Sequence, residues 1–185
     1  MLEVEMKFRL PDAAALEQRL AALNVEESTV LNEEDYYFNA PDRDFASTDE
    51  ALRLRRIGQA NFVTYKGPKQ DLQTKTRPEI EVPLANGDEV AARFRQLLVR
   101  LGYRPVAVVR KRRRVYRSQV EGFPLEICLD DVDEVGQFAE LEILATEAQF
   151  APARDVLLRM AGQLGLGESE RRSYLQMLLE SRARA

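Results

Sequence analysis

Residues 2–8 of the chain read LEVEMKF, in which apolar and charged side chains alternate without exception. In an extended strand successive side chains point to opposite faces, so Glu3, Glu5 and Lys7 would share one face and the apolar residues the other. Neighbouring charged groups would lie about 7 Å apart. Two carboxylates at this spacing can hold a hard cation, and a lysine beside them suits an anion that the cation bridges. A solvated strand face over an apolar core would show the same pattern.

The alternation recurs in nearly all of the remaining strand candidates, where it places charges mostly of one sign on one face. These sets are Arg53 and Arg55; Thr64 and Lys66; Arg77, Glu79 and Glu81; Lys111 and Arg113; Glu126, Cys128 and Asp130; and Glu140 and Glu142. Acidic and basic side chains lie mostly on different strands, and ordinary solvated faces need not show such a separation. The repetition therefore favours a shared charged site over a set of ordinary wet surfaces.

Composition limits the classes of function. The 185 residues suffice for one domain with a real core, and we expect a single domain over residues 1–185. A net charge of -4 argues against a general nucleic-acid binder, although residues 110–114 form a basic run. We expect no membrane span, no signal peptide and a cytoplasmic location, because no long apolar run exists and the single cysteine fits a reducing compartment. The absence of histidine excludes Ser-His and Cys-His nucleophiles and most zinc sites.

The pattern of periodicity and turn residues predicts an α+β fold. We expect strands near residues 2–8, 28–38, 50–57, 61–67, 76–84, 106–117, 123–130 and 137–144, a turn at 39–42 and a loop from Gly67 to about Thr74. We expect helices from Asp12 to about Asn24, from Asp88 to a stop at Gly102, from about Pro152 to Gly165, and from about Glu168 to Arg182.

The helices need an apolar surface to cover, and the strands offer one on a single face. If those apolar faces point outward, the charged faces converge, and an eight-stranded antiparallel barrel can enclose one small ligand. We therefore expect a β-barrel, or tunnel, with a charged lumen and helices packed on the outside. Like charges in such a lumen are costly when they stand alone. Mutual salt bridges would lower this cost, but a polyphosphate bound with a divalent metal ion would satisfy acids and bases together.

Nine ordered motifs resemble those of the CYTH superfamily, the triphosphate tunnel metalloenzymes, over residues 1 to about 178. They are Glu3-x-Glu5-x-Lys7, Asp35-x-Tyr37-Phe38, Leu52-Arg53-Leu54-Arg55, Thr64-Tyr65-Lys66-Gly67-Pro68-Lys69, Arg77-x-Glu79-x-Glu81, Lys111-x-Arg113-x-x-Tyr116, Leu129-Asp130-x-Val132, Gly136-x-Phe138-x-Glu140-x-Glu142 and Ser173-Tyr174. A lone Glu-x-Glu-x-Lys would be a weak signal, whereas the ordered set is specific. Glu33 departs from the family pattern, which often has Gln there, and this puts a contact from that position in doubt.

The resemblance implies Mg²⁺ or Mn²⁺ as cofactor and assigns roles to individual residues. The metal ligands would be Glu3, Glu5, Asp130, Glu140 and Glu142. The substrate-binding residues would be Arg53, Arg55, Lys66, Lys111, Arg113, Glu79 and Glu81. The catalytic residues would be Lys7, Lys66 and Arg113.

For the other charged or reactive residues, structural roles are considered first. Arg110, Arg112 and Arg114 have the opposite parity from Lys111 and Arg113, so we expect them on the outer face. Glu126 could be a tunnel acid or a partner for a neighbouring arginine, Cys128 a small wall residue, and Tyr174 a packing or plug residue on the last helix.

The family carries out more than one reaction. The Thr64–Lys69 segment and the Thr48–Arg53 approach resemble class IV adenylyl cyclases, which convert ATP to cyclic AMP and pyrophosphate. The alternatives are hydrolysis of tripolyphosphate, thiamine triphosphate or a nucleoside triphosphate, and a non-catalytic polyphosphate- or nucleotide-binding module. The expected partner is thus a nucleoside, inorganic or organic triphosphate, with no nucleic acid and no membrane. Dimerisation is common in the cyclases that the chain resembles, so a homodimer is a further expectation.

Overall fold

A computed structural model describes residues 2–23, 25, 27–69 and 76–184. Within these residues the strands and helices follow one another in this order: β1 (Leu2–Arg9), α1 (Ala13–Ala22), β2 (Glu27–Asn39), α2 (Phe45–Thr48), β3 (Ala51–Ile57), β4 (Ala60–Lys66), β5 (Glu79–Leu84), α3 (Asp88–Arg100), β6 (Arg104–Val120), β7 (Phe123–Val132), β8 (Gly136–Ala145), α4 (Phe150–Gln163) and α5 (Tyr174–Arg184). A short 3-10 turn, Glu147–Gln149, precedes α4.

The strands form one antiparallel sheet in the order β1-β8-β7-β6-β2-β3-β4-β5. The sheet curls until an isolated bridge joins Glu3 of β1 to Arg77, just before β5. This confirms the expected α+β fold with eight antiparallel strands curled like a barrel. The single domain over residues 1–185 stays a prediction. None of the described helices has the length and apolar composition needed to cross a bilayer.

Two clusters of apolar side chains lie between the outer face of the sheet and its helices. In the larger one, α1 and α4 cover β1, β7 and β8, with Leu20 and Leu157 buried against Val4 and Leu141. In the other, α3 covers β2 and β3, and Leu98 joins the buried Leu54. Because side chains alternate, burying Leu54 in this way turns its neighbours Arg53 and Arg55 into the interior.

Helix α5 packs differently from the other helices. Its Tyr174, Met177 and Leu178 join a cluster with Phe138, Tyr37, Val109 and Val132. These strand residues have the parity of the charged positions, so α5 covers one end of the inner face. Tyr174 is therefore a packing residue on the last helix, as the sequence indicated.

The structure corrects several expected boundaries. Helix α5 begins at Tyr174, not Glu168, because Ser169 forms a β-bridge with Phe8 and the Glu170 amide donates to the Lys7 carbonyl at 2.7 Å. A residue paired with a strand cannot be helical. β5 begins at Glu79, later than expected, and β6 spans more residues than expected. The expected helix end at Asn24 and the loop over 70–74 lie outside the described residues.

The sequence predicted the end of α3 but not the short helix α2. Gly102 stops α3 with φ +91°, and a Cβ there would lie 3.1 Å from Pro41 Cβ. The short helix α2 was not predicted from the sequence; the Asp44 carboxylate caps it by accepting from the Ala46 amide.

We predict that Leu54→Ala lowers the free energy of unfolding by about 2–5 kcal/mol, because it opens a cavity in the cluster beneath α3. Leu144→Ala is the control: Leu144 is 58% exposed on β8, so its truncation should cost less than about 1 kcal/mol. Urea unfolding of both variants measures the difference. Equal losses would contradict the packing described for Leu54.

Candidate functional site

The curled sheet encloses a cavity of about 550 Å³ whose lining is largely charged. Basic side chains that line it are Arg53, Arg55, Lys66, Lys69, Arg77, Lys111 and Arg113, and acidic ones are Glu3, Glu5, Asp44, Asp49, Glu50, Glu140, Glu142 and Glu180. Strands β1, β3, β4, β6 and β8 and helix α5 contribute to this charged set, and the rest of it comes from loops. The structure therefore brings together most of the residues that the alternating pattern had selected.

Three carboxylates form a cluster at one wall of the cavity. Glu5 of β1 lies opposite Glu142 of β8 in the register, and one oxygen from each of Glu3, Glu5 and Glu142 lies within 4.8 Å of the others. Burial raises the pKa of Glu142 well above the ordinary carboxyl value, and the charge of Glu3 adds to the rise. A divalent cation would relieve this repulsion, and carboxylate oxygens are the ligands that hard cations prefer. The cluster therefore fits Mg²⁺ or Mn²⁺.

A buried carboxylate fixes the two arginines of β3. Asp35 accepts from Arg55 Nε and Nη2, each at 2.7 Å, and from Arg53 Nη1 at 3.2 Å. Burial alone would raise the pKa of Asp35, but Arg53 and Arg55 outweigh it and lower the pKa below its usual range. The paired guanidinium groups are held in place and still line the cavity.

Asp130 of β7 fixes the basic side chains of β6 in the same way. It accepts from Arg113 Nε and Nη2 at 2.7 and 2.6 Å, from Lys111 Nζ at 3.1 Å and from the Tyr174 hydroxyl at 2.9 Å. Burial opposes ionisation, but Lys111 and Arg113 lower the pKa of Asp130. Asp130 is not among the residues that line the cavity in the described part of the chain. Its metal-ligand role stays a prediction, and its contacts are those of a positioning residue.

Glu33 makes the contact that its departure from the family pattern had left in doubt. Its carboxylate lies 3.0 Å from Arg55 Nη2 and 3.3 Å from Lys111 Nζ. Burial would raise its pKa, but the charges of Lys111 and Arg55 prevail and lower it. Glu33 thus joins the buried acids that support the basic wall.

Glu140 and Glu142, both expected metal ligands, line the cavity but differ in their surroundings. Glu140 accepts a hydrogen bond from Arg113 Nη2. The closest atoms of Arg113 and Glu142 lie 3.6 Å apart. Both carboxylates therefore pair with Arg113, and Glu142 belongs to the acid cluster as well.

Of the residues expected on β4 and β5, Lys66 lines the cavity, whereas Glu79 and Glu81 contact side chains of β4. Lys66 lines the cavity and donates to Glu79 Oε1 at 2.5 Å. Burial lowers the pKa of Lys66, and Arg53 adds to this effect. Glu81 accepts from the Thr64 hydroxyl at 2.9 Å and is exposed. Glu79 and Glu81 are not among the described lining residues, so their substrate-binding roles stay predictions.

Lys7, an expected catalytic residue, lies behind the cavity wall. Its ammonium donates to the Arg172 carbonyl at 2.5 Å and lies 4.1 Å from the centre of the Tyr174 ring. It is fully buried and is not among the described lining residues. The structure therefore places Lys7 beneath α5, and its catalytic role stays a prediction.

The residues that were expected outside the site lie where their position in the alternating pattern predicted. Arg110 and Arg112 are exposed and Arg114 is half-buried, where it pairs with Glu17. Glu126 is the partner of Arg117 at 3.1 Å, which resolves that alternative. Cys128 is fully buried, and burial raises the pKa of its thiol.

Sequence reasoning missed several of the residues that line the cavity. Among them are Phe45, Val106, Leu175 and Leu179, and also Lys69, whose amide donates to Asp49 Oδ2 at 2.9 Å. They belong to helices, a loop and the start of β6, where no alternation with charged residues marks them. The apolar spacing of α5 was visible, but it does not reveal that the helix covers the inner face.

Comparisons with known proteins agree with this geometry. Residues 1–174 match the model of the CYTH domain. A Methanocaldococcus jannaschii protein whose name assigns it provisionally to the adenylate cyclases is 41% identical over 142 residues, which are 77% of each chain. Adenylate cyclase CyaB of Aeromonas hydrophila is 34% identical over 185 residues, which cover 97% of this chain and 90% of that protein.

Solved structures share the fold along nearly the whole chain. The PH1819 protein of Pyrococcus horikoshii has a TM-score of 0.85 and 37% identity, covering 97% of this chain and 99% of that one. A Hippeastrum protein has a TM-score of 0.69 and 22% identity, covering 96% and 95%.

We predict that Asp35→Asn destabilises the fold by about 3–5 kcal/mol at neutral pH, because the buried Arg53 and Arg55 lose the carboxylate that they share and only Arg55 keeps a second one, from Glu33. A carboxyl whose pKa is lowered by folding stabilises the protein above its unfolded pKa, and this contribution is lost as the pH falls. The difference between wild type and variant should therefore shrink below about pH 4. Urea unfolding at a series of pH values measures it.

The control is Asp42→Asn, which changes an exposed carboxylate beside Arg43 and should have little effect. A loss for Asp35→Asn that stays constant from neutral to acid pH would show that its charge is not what stabilises the fold.

Proposed function

The chain belongs to the CYTH domain family, and from this premise we propose that it is a metal-dependent enzyme that converts ATP to cyclic AMP and pyrophosphate. Members of the family act as adenylyl cyclases or triphosphatases and depend on a divalent metal ion. The observation that carries the proposal is the cavity in which the Glu3, Glu5 and Glu142 cluster is combined with arginines and lysines in one lining. Such a site suits a ligand with a polyphosphate chain and a bound metal ion.

The acid cluster is the place for the metal ion. Glu3, Glu5 and Glu142 would hold it, with Glu140 beside them. Mg²⁺ or Mn²⁺ bound there would neutralise phosphate charge and lower the pKa of a coordinated hydroxyl group. Burial and the charge of Glu3 raise the pKa of Glu142, and together with the close approach of the three carboxylates this supports a cation at the cluster.

The basic wall would bind the triphosphate. Arg53, Arg55 and Arg113 present planar guanidinium groups, whose paired N–H donors match phosphate oxygens. Asp35 and Asp130 hold these groups in place before substrate arrives, so little reorganisation is needed during the reaction. In the proposed reaction the ribose 3'-hydroxyl attacks the α-phosphorus, and pyrophosphate leaves with its charge stabilised by the basic wall.

Hydrolysis is the second candidate, in which water attacks the terminal phosphorus of tripolyphosphate, thiamine triphosphate or a nucleoside triphosphate. The Hippeastrum protein with this fold is described as having a dominant triphosphatase activity. The same acids and bases would serve both reactions. Which phosphorus reacts depends on how the substrate is oriented in the cavity.

The remaining expectations about partners stay proposals. The net charge of -4 supports a small anionic substrate over nucleic acid as partner. A homodimer and a cytoplasmic location stay predictions from the sequence.

Product analysis tests the proposed reaction. We expect that purified protein incubated with ATP and Mg²⁺ or Mn²⁺ releases cyclic AMP and pyrophosphate in equal amounts, and that EDTA stops the reaction. Parallel incubations contain tripolyphosphate or thiamine triphosphate. Orthophosphate without cyclic AMP would support hydrolysis, and no product from any of the three substrates would support the binding module.

We predict that Glu5→Gln reduces turnover by at least about 100-fold while the fold is retained, because an amide replaces a charged metal ligand. Glu126→Gln is the matched control, since Glu126 pairs with Arg117 and is not among the described lining residues. Rates with Mn²⁺ and unfolding curves are measured for both variants. Unchanged turnover in folded Glu5→Gln would remove Glu5 from the metal site.

A further inference from the structure

Three aliphatic side chains line the cavity where α5 packs against β6, and they are named here its apolar end. They are Val106 at the start of β6 and Leu175 and Leu179 of α5. The two leucines are four residues apart, so they lie on one face of the helix. Val106 and Leu179 are 40% and 41% exposed, which leaves apolar surface open to a ligand.

An inorganic triphosphate would gain no binding energy from such a surface, because its exterior consists of charged oxygen atoms. A nucleobase has two apolar faces, whose removal from water is favourable. The cavity volume of about 550 Å³ lies within the range of sites for small organic ligands.

We propose that Val106, Leu175 and Leu179 form the subsite for the base of a nucleoside triphosphate, and that they select it over inorganic tripolyphosphate. The proposal rests on the function proposed above and specifies which part of the cavity recognises the organic group. It concerns a binding surface, so its test measures binding and not turnover.

Polar groups beside this surface can meet the edge of a base. Gln176 and Glu180 also line the cavity, and the Gln176 amide donates to Glu180 Oε1 at 3.0 Å. An amide and a carboxylate together offer both a donor and acceptors, as the edge of a base requires.

Helix α5 fixes the distance between the apolar end and the phosphate-binding wall. The Tyr174 hydroxyl at its first residue donates to Asp130, and Asp130 holds Arg113 and Lys111. The Tyr174 ring also packs edge-on against Phe138 of β8, with ring centres 5.1 Å apart. Because Leu175 and Leu179 follow on the same helix, their position is set relative to the basic wall. A triphosphate bound to that wall would thus direct its organic end to one place.

The test compares two non-hydrolysable ligands by calorimetry in the presence of Mg²⁺: α,β-methylene-ATP and bismethylene triphosphate, which is the inorganic analogue. In Leu179→Ser we expect the Kd for the nucleotide analogue to rise about tenfold, close to the loss of about two buried methylene groups. The Kd for the inorganic analogue should change by less than about twofold, because its contacts are made elsewhere.

Leu158→Ser is the matched control. Leu158 of α4 is also 41% exposed but is not among the described lining residues, so neither Kd should change. Equal changes for both ligands in Leu179→Ser, or no change for either, would overturn the subsite. If the nucleotide analogue alone is affected but the wild type makes no cyclic AMP, the subsite stands and the proposed reaction fails.

Discussion

The structure depends on how the charges that face the inside of the sheet are neutralised. Taking an ion out of water costs several kcal/mol, and a close opposite charge must offset this cost. Asp35 holds Arg53 and Arg55, and Asp130 holds Arg113 and Lys111, through hydrogen bonds of 2.6 to 3.2 Å. These acids lie on β2 and β7, the strands next to β3 and β6 that carry the bases. The antiparallel register therefore supplies each group of bases with its anion.

A second group of acids defines the site. Glu3, Glu5 and Glu142 lie on β1 and β8, away from β2 and β3, and their oxygens converge on one another. The cavity thus has a region that favours cations next to one that favours anions. Buried ion pairs contribute little net stability. The apolar clusters under α1, α3 and α4 must therefore supply most of the free energy that keeps this charged interior closed.

Alternation in the sequence predicted which side chains face inward but not how they pair. Arg113 and Arg114 differ by one position, and their parity correctly assigned one to the cavity and one to the outside. Asp130 and Glu142 follow the same pattern in the sequence, yet one is enclosed by donors and the other belongs to a cluster of acids. This difference arises from strand register, which alternation alone does not set. The predicted start of α5 was wrong for a similar reason, since Ser169 pairs with β1, which is distant in the sequence.

The charged and the apolar parts of the cavity lining bear on the choice between cyclisation and hydrolysis. Acids, arginines and lysines would bind any triphosphate, because they meet only phosphate oxygens and metal. The apolar end beside α5 can distinguish an organic triphosphate from an inorganic one. If a base occupies this end, the α-phosphate is the phosphate nearest to it, and the terminal phosphate lies farthest away. The position of the Glu3, Glu5 and Glu142 cluster along that chain then decides whether the ribose hydroxyl or water is activated. Selectivity for the organic group and choice of reaction are therefore linked through the length of one substrate.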